Sequence, residues 1–173
     1  MRRYGKRTVV LAAVGFAVLG CSRGETVTAR SLAAARRVWK SANLRDYDLE
    51  WTSRGARDGH YRVFVRGGLV RSVRAVDRDG SEHELKPADP SYFSVDGLFL
   101  VIQDEMDQQF AERPFGMPKG SNLLLKFQVD PALGYPREYR RDVSGGLKSL
   151  AIDVVRLNPE PPGEIPPLAT GSP

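Results

Sequence analysis

Apolar residues recur along this chain with two different periods, and the change from one to the other lays out a domain. Leu32, Ala35, Trp39 and Ala42 fall on one helical stripe with Val38 beside it, while Arg30, Arg36, Arg37 and Lys40 lie around the rest. This spacing predicts a helix over residues 28–45, with Thr28 or Ser31 available to cap its start. The period then drops to two. Tyr47, Leu49 and Trp51 alternate with Asp48, Glu50 and Thr52. Tyr61, Val63 and Val65 alternate with His60, Arg62 and Arg66, and Phe64 adds an apolar residue to the second face. Gly67-Gly68 is a two-residue hairpin turn into a third strand, Leu69 to Asp77, and Arg78-Asp79-Gly80 is a further turn. Residues 81–93, with Pro87 and Pro90, read as a polar connector.

The helical period returns at Leu98, Phe99, Ile102, Met106 and Phe110, which predicts a second helix from about Val95 to Phe110. Ser94 is its expected N-cap and Asp96 suits its first turn. Asp104, Glu105 and Asp107 are expected to face water. Pro114, Gly116, Pro118 and Gly120 then break the chain. Leu123, Leu125, Phe127 and Val129 make a strand, Pro136 to Asp142 a partner, and Lys148 to Leu157 a last strand. The order α-βββ-α-βββ predicts an α+β fold, with two helices packed on one face of an antiparallel sheet of about six strands. An amphipathic first helix could instead lie on anionic lipid, but Trp39 and Leu32 are what a small core needs. Residues 28–157 form the expected single domain, and the proline-rich residues 158–173 an expected disordered tail.

The segment before the domain has a different character. Arg2, Arg3, Lys6 and Arg7 precede the uncharged run Thr8–Leu19, and Val18-Leu19-Gly20-Cys21 closes it. Twelve residues are few for a bilayer span, which needs about 20. The arrangement resembles a bacterial lipoprotein signal, residues 1–20, with Cys21 as the lipidated residue and 21–27 as a tether. Two or three acyl chains anchor stably where one does not. The domain is then expected outside the cytoplasm, at the cell membrane. Ser22 carries no inner-membrane retention signal, so in a cell with two membranes the outer one is expected.

Processing changes what the charge means. The chain has 26 Lys plus Arg against 21 Asp plus Glu, but four of the cations and no acid precede Cys21, which leaves the mature chain at +1. The basic balance gives no ground for a nucleic-acid partner. The only cysteine is Cys21, so packing holds the domain together without an internal disulfide.

Several pieces resemble a family of secreted and lipid-anchored bacterial proteins of unknown function, the DUF6174 type. They are Trp39 with Tyr47-Asp48-Leu49, Gly67-Gly68-Leu69-Val70, Ser94-Val95-Asp96-Gly97-Leu98-Phe99, and above all Val129-Asp130-Pro131-Ala132-Leu133-Gly134-Tyr135-Pro136 followed by Asp142. The resemblance implies the compartment and the fold, and no activity. Family members often carry a Cys-x-Cys pair near the end of the first strand. This chain has Thr52-Ser53-Arg54 there, so any redox or metal role of that pair is absent.

Chemistry-bearing constellations are sparse. His60 and His83 lack metal-ligand spacing, and Ser121 and Ser144 lack a nucleophile elbow. Asp130 and Asp142 are too far apart in sequence for a calcium loop. No cofactor is expected. The remaining feature is cationic: Arg62, Arg66, Arg71, Arg74 and Arg140 lie on predicted strands, with Lys126, Arg137, Arg141 and Arg156. If the helices cover one sheet face, several of these cations should share the other and can bind an anionic envelope component or another envelope protein. A non-catalytic binding module is the expectation. The alternatives are a structural envelope protein and a hydrolase whose carboxylates meet only in three dimensions.

Lipidation is directly testable. Cells fed an alkyne fatty acid should label the wild-type protein and not Cys21→Ala. Equal labelling, or a mature N-terminus elsewhere, contradicts the signal reading.

Overall fold

The computed structural model describes residues 24–109, 113–118, 121–144, 149–159 and 165–168. The expected signal segment, Cys21, Phe110 and the rest of the tail lie outside them. In chain order the elements are β1 (Glu25–Thr26), α1 (Ala29–Ala42), β2 (Tyr47–Gly55), β3 (Gly59–Arg66), β4 (Leu69–Val76), β5 (Glu82–Leu85), α2 (Val95–Gln108), β6 (Leu123–Val129), β7 (Pro136–Val143) and β8 (Leu150–Pro159). The eight strands among the described residues join one antiparallel sheet in the order β1-β6-β7-β8-β2-β3-β4-β5.

The α+β class and the single antiparallel sheet are as expected, but the sheet has eight strands instead of about six. The two additions are its edges. β1 is a pair of exposed residues within the expected tether, and β5 reads Glu-His-Glu-Leu within the expected connector. Neither is long enough or apolar enough to show a period. Each forms because a neighbouring strand offers unpaired backbone groups.

Pairing register sorts the side chains onto two faces. Tyr47, Leu49 and Trp51 lie opposite Val65, Val63 and Tyr61, and Phe127 lies opposite Tyr139. These residues form the core with Leu32 and Trp39 of α1 and with Val95, Leu98, Phe99 and Ile102 of α2. Trp39 meets Tyr47 edge-on at 5.5 Å between ring centroids, and its indole N–H donates to Asp96 at 3.4 Å. Both helices therefore cover the same face. The exposed stripe beside α1's buried one includes Val38, which is 40 % exposed.

Local sequence determines the helix starts. Thr28 Oγ1 accepts from the Ser31 N–H and Ser31 Oγ accepts from the Thr28 N–H, both at 3.0 Å, so both candidate caps act together. Ser94 Oγ accepts from the Gly97 N–H at 3.1 Å. A tight turn, Pro90–Phe93, presses on this end of α2. A Cβ at Gly97 would stand 2.3 Å from the Ser91 carbonyl oxygen, so only glycine fits there. Gly134 has a similar role between β6 and β7. Its φ is +79°, and a Cβ would stand 2.7 Å from the Ala35 carbonyl oxygen of α1. Asp130 holds the same turn by accepting from the N–H groups of Ala132 (3.0 Å) and Leu133 (2.8 Å).

Phe99 is fully buried between the helices and the sheet. Phe99→Ala should lower unfolding free energy by about 3–5 kcal/mol, read as a fall in the urea midpoint of the domain. An unchanged midpoint would place the α2 stripe outside the core.

Candidate functional site

The sheet face away from the helices carries most of the expected arginines. Arg62, Arg74 and Arg140 project there with Lys126 and Arg156, and Arg66 follows the same alternation. This face is a lattice of paired charge instead of a free cationic surface. Glu50 receives His60 at 2.8 Å, Arg156 at 3.1 Å and Arg62 at 3.4 Å. Arg62 also pairs with Glu82. Arg66 pairs with Asp48 at 2.8 Å, and Arg74 with Glu82 at 3.1 Å. Arg140 pairs with Asp153 and, at 3.5 Å, with Glu138. Arg71 is unlike the others. It is the extra residue of a bulge between β3 and β4, and it is exposed. Arg137 has the same position between β6 and β7. Asp130 and Asp142 stand at opposite ends of the β6–β7 hairpin, and Asp130 is engaged by its own turn.

Arg141 differs from the other strand arginines. It alternates with Arg140, so it points to the helix side, buried beneath α2. There it donates to Glu105 Oε1 at 2.6 Å, while the Tyr139 hydroxyl donates to Glu105 Oε2 at 2.6 Å. Glu105 is thus no part of a water-facing acidic surface. Seven positions after Leu98 and three after Ile102, it falls on the buried stripe of α2. Burial pushes its carboxyl above the usual range, against the Tyr139 hydrogen bond and the Arg141 charge, which pull it down. Burial and the facing carboxylate push the Tyr139 hydroxyl far up as well.

Glu105 and Arg141 line the floor of a cleft of about 750 Å³ on the helix side of the sheet. Aromatic rings form one wall. Trp51 stands 4.6 Å from Tyr61 and 5.8 Å from Phe93 between centroids, and Tyr61 meets Phe93 edge-on at 5.1 Å. The Trp51 indole N–H donates to the Phe93 carbonyl at 3.1 Å, which fixes the ring's orientation. Leu150, Ile152 and Val101 extend the apolar lining. Phe115 closes it with its ring 4.2 Å above the Arg141 guanidinium. Its backbone is left-handed, φ 53°, which an aromatic residue rarely adopts. Two exposed charges border the cleft, Arg57 from the β2–β3 turn and Asp104 from α2.

From sequence, Trp51, Tyr61 and Leu150 look like ordinary core positions. Glu105 on an apolar stripe, and Arg141 between Tyr139 and Val143, were the legible signals of a buried ion pair. Among the described residues no group of three or more His, Cys, Asp and Glu could hold a metal ion, and no helix is long and apolar enough to cross a membrane. Compared with protein-family models, with curated proteins and with solved structures, the chain matches none.

The pairing of Glu50 predicts a pH effect. Burial alone would raise its carboxyl, but the His60 hydrogen bond and the charges of Arg62 and His60 outweigh that and hold it below the ordinary glutamate range. A carboxyl lowered on folding contributes stability that is full above its unfolded value and lost as pH falls through the folded one. Glu50→Gln should therefore cost about 1–2 kcal/mol at pH 7. In urea titrations that gap should shrink as pH falls below about 4.3, the ordinary glutamate value. A constant gap would mean that Glu50 is not held by its ion pairs.

Proposed function

We propose that the protein is a lipid-anchored component of the bacterial envelope, attached through Cys21, and that its domain is a non-catalytic binding module. The basic start, the uncharged run and Gly20-Cys21 support the address. The likeness of Ser94–Phe99 and Val129–Pro136 to DUF6174-type proteins supports the same compartment. The binding site in this proposal is the helix-side cleft, not the arginine-bearing face that the strand pattern favoured. The observation that carries it is the aromatic wall of Trp51, Tyr61 and Phe93 facing a cavity of about 750 Å³, ample for a small amphipathic molecule. By contrast, Arg62, Arg66, Arg74 and Arg140 are each committed to carboxylates of their own sheet.

The lining sets the ligand's chemistry. An apolar or aromatic body stacks on Trp51 and Tyr61. Arg57 is exposed beside the cleft, with no hydrogen bond or ion pair among the described residues, and Asp104 stands on the α2 side. An anionic group on the ligand is thereby directed toward Arg57. Glu105 supports binding over acid–base chemistry, because both its oxygens are engaged by Tyr139 and Arg141.

Anilinonaphthalene sulfonate, an apolar anion, probes such a cleft. Its fluorescence should rise on saturable binding, and Tyr61→Ala or Arg57→Glu should weaken binding about tenfold, equivalent to about 1.4 kcal/mol. Charge reversal of Arg62, Arg71 and Arg140 together should leave it unchanged. Loss of binding in that triple variant alone would return the site to the open face.

A further inference from the structure

Part of the C-terminal segment rests on the open sheet face. Arg74 lies in the middle of β4, on the side away from the helices, yet it is only 5 % exposed. Its guanidinium stacks on the Phe64 ring at 4.6 Å. Nη1 pairs with Glu82 at 3.1 Å, and Nε stands 3.7 Å from a Glu84 oxygen without a hydrogen bond. Nη1 also donates to the Pro167 carbonyl at 3.0 Å, and Nη2 to the Pro166 carbonyl. One buried guanidinium thus holds two successive peptide carbonyls. Phe64 beside it is buried too, at 3 % exposure, on a face where an aromatic ring would otherwise meet water. A small cavity of about 100 Å³ adjoins Pro166, lined by Glu50, Arg62, Phe64 and Arg156.

The chemistry of this contact is selective. A Pro-Pro pair has no backbone N–H, so its main chain can only accept hydrogen bonds. Arginine can only donate them, from a planar fork that reaches two acceptors at once. Proline also presets an extended chain, so little conformational freedom is lost when it docks. Glu82 and Phe64 hold the fork in place from two sides.

We propose that Arg74, Phe64 and Glu82 form a groove for an extended proline-rich segment, that Ile165–Leu168 occupies it in cis, and that a proline-rich segment of another protein takes the same groove when the tail leaves. This site lies on the opposite sheet face from the cleft and stands or falls independently of it. Ile165–Leu168 belongs to the same chain as the groove, so an incoming segment competes with an intramolecular one.

The test uses the full chain with Ile165, Pro166, Pro167 and Leu168 all replaced by glycine, which keeps the tail's length and removes its rigid acceptors. A synthetic peptide of residues 160–173 is titrated in, and the backbone amides of Phe64, Arg74 and Glu82 are followed by NMR. Saturable shifts at these amides are expected. The wild-type chain should bind the peptide about fivefold or more weakly, because its own tail competes. Adding Arg74→Gln to the glycine variant should abolish the shifts while the amides of Tyr47 and Phe99 keep their native positions. Should Arg74→Gln fail to fold, Arg74→Lys keeps the charge without the fork, and weakening by about tenfold is expected. Absent shifts, equal binding by the Arg74 variants, or equal binding of a peptide with its prolines replaced by serine would overturn the proposal.

Discussion

Two aromatic residues of β2, Tyr47 and Trp51, decide where the second helix sits. Each buries a large ring in the core and carries one polar atom that needs a partner there. Tyr47 uses its hydroxyl to accept from the Val95 N–H, one of the free amides at the start of α2. Trp51 uses its indole N–H on the Phe93 carbonyl, at the end of the preceding turn. Two residues of one strand and one sheet face, with Leu49 between them, thus hold both sides of one helix start. Gly97 lets the turn press in without collision, and Ser94 satisfies a further amide. With its start fixed, α2 runs so that Phe99 and Ile102 enter the core and Glu105 reaches Tyr139 and Arg141. The aromatic wall of the cleft arises from the same constraint, since Phe93 is carried to Trp51 and Tyr61 by the turn that Trp51 holds.

The two faces of the sheet handle charge in opposite ways. Beneath α2, Glu105 and Arg141 lie in the interior with a tyrosine hydroxyl completing the carboxylate's partners. Desolvation offsets much of the attraction in such a pair, so its main contribution is to fix geometry, while loss of either partner alone would strand a buried charge. Glu105 also acts against stability at neutral pH. Its folded value is raised, so its contribution is full at low pH and lost as pH rises through that value. Glu50 does the reverse on the open face. Most pairs on that face are partly exposed, and each is worth little alone. Their collective effect is to leave few arginines free there. The residues expelled from the lattice are those at the bulges, Arg71, Arg137 and Val155, where an extra residue breaks the alternation and points into solvent.

Arg74 shows how a polar face acquires a buried residue. Nothing on β4 itself removes its side chain from water. The carbonyls of Pro166 and Pro167, 92 and 93 positions further along the chain, do so together with Phe64 and Glu82. Strand β8 likewise continues to Pro159, two residues beyond the expected Leu157, because β2 is long enough to pair with it, Tyr47 lying opposite Pro159.

The sequence by itself determined the helices, their caps and the six longer strands. Those features follow from local periods and from side chains such as Thr28, Ser94 and Gly134, whose partners lie close in the chain or whose backbone needs are intrinsic. It also marked Trp39, Leu49, Phe99 and Phe127 as core. Tertiary structure alone decided the strand order, the short edge strands β1 and β5, the meeting of Glu105 with Arg141, and the pairing of the expected arginines. Each of these depends on which residue of a distant strand stands opposite, through hydrogen bonds between backbone groups that are the same at every position. An alternating pattern places a side chain on a face, but only the completed sheet determines whether that face supplies a carboxylate, a ring or water.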